Sequence, residues 1–248
     1  VIGLVGQNNS STPNTQFDLD CDAVVLRSAA NGATVRFDPG AALTCNIATA
    51  GPAANGRDQA GAFSNASWLH FYWIWNGSTL ATIASTVAPP TGPTLPTGYT
   101  HWAYAGAVYL DGSGNLKRTR LRGAWAYYEA GQVTSLNATT PSTTEQTIGV
   151  SALVPPNALA MQLDAQVGLT SGAGGGANHI INFRAVSGSN ARAMLCVGIV
   201  SNSVSANKDF ELPNIGQQFF YQATNNAKVG SGARTVNVCG YKLGNGGV

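Results

Sequence analysis

Apolar residues recur at every second position in short runs along the whole chain, as in "AVVLRS", "TVRFDP", "LTCNIA", "LATIAS", "WAYAGAVYL", "TIGVSAL", "MQLDAQVGL", "HIINFRAV", "AMLCVGIV" and "TVNVCGYKL". Successive side chains of a strand leave on opposite faces, so this period belongs to strands with one face buried. Gly, Pro, Asn and Ser bound the runs, and hairpin signals stand between them at Asn31-Gly32, at Asp111 to Asn115 and at Ser187 to Asn190. No amphipathic pattern of helical length competes, and the region near Arg57 has room for one turn at most. The pattern predicts an all-β fold.

One run breaks the alternation. In "WLHFYWIW", Trp68, His70, Tyr72 and Ile74 would lie on one face and Leu69, Phe71, Trp73 and Trp75 on the other. Both faces are bulky. A strand with one wet face alternates apolar and polar, so this strand is expected to be covered on both sides, by a core and by either a second layer or a subunit. Leaving either face in water would create an apolar patch of a kind monomers rarely keep. Trp68, Tyr72, Trp73 and Trp75 are therefore candidate oligomer contacts, with the proline-rich segment 87 to 100 as the candidate internal cover.

The stretch "GQVTSLNATTPSTTEQ" at 131 to 146 is the most linker-like in the chain. It divides an N-terminal β-rich domain with long loops, residues 1–135, from a C-terminal β-sandwich of jelly-roll type, residues 136–248. The second part offers about seven strands at eight- to twelve-residue spacing.

Composition narrows the function. Only 10% of the residues are charged, against roughly 25% in ordinary soluble proteins. A net charge of +2 gives no electrostatic reason to expect nucleic-acid binding or recruitment to anionic membrane. No run reaches the length of a spanning helix, and a signal peptide is not expected. Cys21, Cys45, Cys196 and Cys239 are far apart in strand-like contexts, which predicts buried free thiols in place of disulfides. Without a CxxC, and with His70, His101 and His179 dispersed among apolar residues, neither zinc nor any other cofactor is expected.

The remaining candidates for chemistry are few. "LTSGAGGGANH" at 169 to 179 lacks the Lys-Ser/Thr ending of a phosphate loop and reads as a loop between strands. Asp18, Asp20 and Asp22 share one face of any strand they form, without calcium-loop spacing, and read as a solvated edge strand. Glu129 and Glu145 have no identifiable partner for a glycosidase pair, and no serine sits in a nucleophile elbow. In "LKRTRLRG", Arg118, Arg120 and Arg122 share a face opposite Lys117, Thr119 and Leu121. Three guanidinium groups in line could grip acidic sugars or phosphates, or form a solvated face.

Two segments resemble a known family. "SWLHFYWIWNGSTLATIAST", followed by "GPTLPTGYTHWAYAGAVYLDGSGNLKRTRLRG", looks like a module of structural proteins of tailed bacteriophages. "FELPNIGQQFFYQATNNAKVGSGARTVNVCGYKL", with its closing Gly240-Tyr241, is similar to the last strands of phage fibre and virion-surface sandwiches. The resemblance implies a non-enzymatic virion protein that is tail- or fibre-associated, with a head decoration or head-fibre protein as the alternative. It implies folding in the host cytoplasm, assembly as a homo-oligomer (a trimer), contacts with other virion proteins and attachment to a host cell-surface glycan. Readings of another class are a virion-borne glycan-degrading enzyme and a free carbohydrate-binding module with Trp102 or Tyr104 stacked on sugar.

Overall fold

The period-two runs fold as strands. The computed structural model describes residues 1–28, 30, 32–133, 144–171, 177–190, 192–198, 203–225 and 229–244, and every regular element among them is a β-strand. The chain forms two compact units, Val1–Ala130 with the residues from Lys242 onward, and Gly131–Tyr241. The chain passes from the first unit to the second between Ala130 and Gly131, and the C-terminal residues belong to the first unit. Most of the linker-like stretch, 134 to 143, lies outside the described residues.

The N-terminal unit holds β1 (Val5–Asn8), β2 (Gln16–Asp20), β3 (Val24–Ser28), β4 (Thr34–Phe37), β5 (Leu43–Asn46), β6 (Gly56–Arg57), β7 (Ser67–Trp75), β8 (Leu80–Ser85), β9 (His101–Leu110), β10 (Thr119–Arg122) and β11 (Trp125–Val133). Within it the order β11-β10-β1-β2-β5 makes one sheet and β4-β3-β9-β7-β8-β6 the other. The alternation explains the layering: in β2, Phe17 and Leu19 are fully buried, while Gln16, Asp18 and Asp20 keep contact with solvent. Phe17 meets Phe71 of β7 at a ring-centroid distance of 4.9 Å, which joins the two sheets face to face. Beside this contact the sheets come so close that glycine is required. A Cβ at Gly106 of β9 would lie 2.6 Å from Leu121 Cδ1 of β10, and one at Gly6 of β1 would lie 2.9 Å from the same atom.

Because Leu121 is itself buried, it has little room to move aside. Gly106→Ala is expected to destabilise the protein by about 1–3 kcal/mol through overpacking, seen as a lower urea midpoint with an unchanged slope. A midpoint equal to the parent's would show that the layers can separate at no cost.

Strand β7 resolves the two-faced aromatic run. Tyr72, Trp73, Phe71 and Ile74 are all fully buried within the chain. Phe71 meets Phe17 of the facing sheet, with Trp73 and Trp75 following at alternate positions of β7, and Trp75 makes a ring contact at 4.1 Å with Phe37 of β4 in its own sheet. The other face carries His70, Tyr72 and Ile74 and is covered by the proline-rich segment. Tyr72 donates its hydroxyl proton to the Val87 carbonyl. Gly92 lies so close to Trp102 that a Cβ would come within 2.6 Å of the indole, and Thr94 N–H donates to Asp58 Oδ2 at 3.3 Å. The expectation that Tyr72 and Trp73 touch a second copy is corrected on this point, since the chain's own layers leave neither any exposed surface. Trp68 and Trp75 are half-buried, and Trp68 packs edge-on against Tyr109 at 5.2 Å.

The C-terminal unit contains β12 (Gln146–Gly149), β13 (Ala158–Ser171), β14 (Ala177–Arg184), β15 (Arg192–Gly198), β16 (Ser203–Pro213), β17 (Gln218–Asn225) and β18 (Val229–Leu243). Its sheets run β16-β13-β18 and β12-β17-β14-β15. Phe183 of β14 packs on Phe210 of β16 at 5.0 Å and on Phe219 of β17 at 6.2 Å. Met161, Leu163, Ile181, Val236 and Val238 are buried with them, so this unit is a β-sandwich. Cys21, Cys45 and Cys239 are free thiols, and burial pushes the Cys45 thiol up to about 12.

Candidate functional site

The arginine run is placed by alternation. Thr119 and Leu121 are buried, whereas Arg118, Arg120 and Arg122 are exposed. Arg118 precedes β10, and its carbonyl accepts the Glu129 N–H at 3.3 Å. The antiparallel register then sets the neighbours of the other two. Arg120 stands opposite Tyr127, and Arg122 opposite Trp125, both on β11. On the other side they face Gln7 and Val5 of β1, which in turn face Asp18 and Asp20 of β2. Thr44 of β5 completes the row beyond Asp18.

This outer face changes character across the sheet. At the β10-β11 end, the Trp125 and Tyr127 rings are inclined by only 20° with centroids 5.9 Å apart, and the Lys242 ammonium stands 5.4 Å from the Trp125 centroid. Tyr127 is 39% exposed. Arg120 Nε lies 3.4 Å from Glu129 Oε1 with both side chains largely in water, a pair of the kind that contributes about 0–1 kcal/mol. Among the described residues no ion pair holds Arg118 or Arg122. At the β2 end, Asp18 accepts from Asn9 Nδ2 at 3.0 Å and from the Thr44 hydroxyl at 2.6 Å. The face therefore offers flat rings and free guanidinium groups on one side, an amide in the middle and satisfied carboxylates on the other.

Among the described residues the other candidates lie apart from one another. Asp18 and Asp20 belong to this face, but β2 is flanked by β1 and β5 and is not an edge strand. Asp22 lies beyond it, against Gly3. Glu129 is paired as above, and Glu145 is held by Arg184 at 3.1 Å and by the Ser187 hydroxyl, bonds that lower its pKa, the Ser187 bond most of all. His70 is buried and shares a 3.1 Å hydrogen bond between its Nδ1 and the Tyr104 hydroxyl, and burial pushes its imidazole down to about 4. His101 Nδ1 bonds the Thr100 hydroxyl at 2.9 Å. The side chain of His179, and residues 172 to 176 of the glycine-rich loop, lie outside what the structure describes. Among the described residues no group of three or more His, Cys, Asp or Glu is placed to hold a metal ion.

Tyr104 is 6% exposed and presents no ring to sugar, while Trp102 is half-buried with Gly92 close against its indole. Cavities of about 100 Å³ beside Leu4 and Tyr104, and about 160 Å³ beside Arg57 and Phe63, are small against the roughly 300–1,000 Å³ of organic-ligand pockets. An open face is the better-formed feature. Its aromatic half is missing from the sequence reading, although "WAYYE" carries the signal. Trp125 and Tyr127 alternate with the buried Ala126 and Tyr128, and a short turn at Gly123 brings them alongside the arginines.

Neither a protein-family model nor a curated protein matches the chain. Among solved structures, it is similar to a Cry1Da tryptic core variant of Bacillus thuringiensis at 7% identity and TM-score 0.27, over 96% of this chain and 51% of that one. It is similar also to the CBM22 tandem domain of Xyn10C from Paenibacillus barcinonensis, at 7% identity and TM-score 0.22, over 95% of this chain and 77% of that one. A third is the infectious bursal disease virus Gx strain, at 12% identity and TM-score 0.25, over 98% and 58%. The chain spans about half the length of the Cry1Da core. At these scores the likenesses carry no functional argument.

Proposed function

We propose that this chain is a non-enzymatic structural protein of a tailed-bacteriophage virion, tail- or fibre-associated, that contributes to particle assembly and to attachment at the host surface. The observation that carries the attachment role is the outer face of β11-β10-β1-β2-β5, where the exposed Tyr127, stacked on a half-buried Trp125, and the exposed guanidinium groups of Arg118 and Arg122 lie beside amides and hydroxyls. Such a face suits adhesion, since aromatic and arginine side chains dominate binding energies where they are exposed before contact. The virion assignment is supported by the resemblance of the segments around "LPTGYT" and "VCGYKL" to phage structural modules. A low-charge surface rich in hydroxyls and amides suits a long-lived particle. The same face would serve a free carbohydrate-binding module, which is the second reading.

Electron microscopy of particles labelled with antibody to the chain is expected to place it at the tail or its fibres, and the purified protein is expected to compete with particles for host cells. Label on the head would move it to decoration. A chain recovered only outside particles would favour the free module, and hydrolysis of host glycan by purified protein would overturn the non-enzymatic reading.

A further inference from the structure

We infer that the β10-β11 end of the outer sheet face binds an anionic polysaccharide, with a sugar ring on the exposed Tyr127 beside Trp125 and its carboxylate or phosphate groups on Arg120 and Arg122. This rests on the attachment reading and names its ligand class. Neighbouring strands are about 4.8 Å apart and alternate residues of one strand about 7 Å apart, so the pairs Arg120–Tyr127 and Arg122–Trp125 form one compact quadrilateral of two cations and two rings. Flat rings bind a pyranose by its apolar C–H face and leave its substituents at the rim, where the guanidinium forks meet planar or tetrahedral oxyanions through paired N–H donors.

Charge selects the ligand further. Among the described residues the ion pair of Arg120 with Glu129 is the one that engages any of Arg118, Arg120 and Arg122. A neutral sugar would leave Arg122 uncompensated as water is displaced, whereas an acidic one pairs with it. Asp18 and Asp20 on β2 repel an anion that extends across the sheet, which confines it to the β10-β11 end. That same repulsion disfavours nucleic acid, whose phosphates need a broad basic surface.

The test uses the purified full chain with three polysaccharides: polygalacturonate (carboxylate), phosphorylated dextran (phosphate) and dextran (neutral), measured by biolayer interferometry at 50 and 300 mM salt. Binding is expected to one or both anionic polymers, falling with salt, with dextran much weaker. Which anionic polymer binds identifies the oxyanion. Tyr127→Ala is expected to weaken binding roughly tenfold with an unchanged salt dependence, because stacking is lost, and Arg122→Gln to weaken it roughly tenfold while flattening the salt dependence. Both positions are surface-accessible, so denaturation midpoints should match the parent and serve as the folding control. Equal binding of dextran, tighter binding of DNA than of either polymer, no binding to any polymer, or variants that bind like the parent would each overturn the inference. If the variants still compete with particles for host cells as the parent does, attachment stands and this face is not its site. If they bind polymer weakly and the parent never competes, the face binds glycan and the attachment reading fails.

Discussion

Trp73→Asp is expected to leave no folded N-terminal unit at any temperature, and no monomer that has lost only a partner. Trp73 has no exposed surface and lies in the middle of β7, opposite Ala103 on β9 and Thr82 on β8. Removing a buried Trp costs about 3–5 kcal/mol. A buried carboxylate in the same place adds several more. The total is comparable with the whole stability of an ordinary domain. All five tryptophans fall between Trp68 and Trp125, so the emission of the remaining four reports this unit alone. The expected spectrum is that of solvated indole, with rapid proteolysis of the region. A soluble, protease-resistant variant with shielded emission would show that Trp73 is not held in a closed core. Trp73→Phe is the control, and it should fold, because the indole Nε1 has no hydrogen-bond partner to lose.

How far the sequence revealed this arrangement depended on whether a feature was local. The strands were legible because alternation is a property of neighbouring residues: β3 buries Val24, Leu26 and Ser28 and exposes Val25 and Arg27, as its pattern requires. The outward direction of the arginines was legible for the same reason. What covers β7 was not. Its two bulky faces demanded two covering layers, but only the tertiary path of 87 to 100, with Val87 accepting from Tyr72 and Gly92 against Trp102, decides that the second layer is intramolecular. The bulge that leaves Ala105 of β9 without a partner opposite Phe71 and Tyr72 likewise has no marker in "WAYAGAVYL". The candidate face divides in the same way. Arg120 and Arg122 stood out as a run, whereas their pairing with Tyr127 and Trp125 is a matter of register, and register across a short turn is set by the fold around it. Tyr104, equally aromatic in sequence, is buried by the same long-range packing, and Trp102 is half-covered by the segment that carries Gly92.

Acid is expected to weaken the N-terminal unit through His70. The imidazole is 2% exposed, in contact with Tyr104 and on the same face of β7 as Tyr72, and burial pushes its pKa down from 6.5 to about 4. The folded state therefore holds His70 neutral until about pH 4, while the unfolded chain takes up a proton from about pH 6.5. Between those values the unfolded state binds more protons, so stability is full above pH 6.5, falls as the pH drops, and levels off below about 4. At about 1.4 kcal/mol per pH unit, the difference between 6.5 and about 4 corresponds to about 3 kcal/mol. His70→Gln keeps a hydrogen-bonding group for the Tyr104 hydroxyl and cannot titrate. Urea unfolding followed by tryptophan emission should show the parent losing about 3 kcal/mol more than this variant on going from pH 7 to pH 4, with other acid-titrating groups cancelling in the comparison. Parent and variant curves that run parallel over the same interval would mean that His70 is hydrated in the folded protein, and that the layer formed by Val87 and Gly92 does not shield its face of β7.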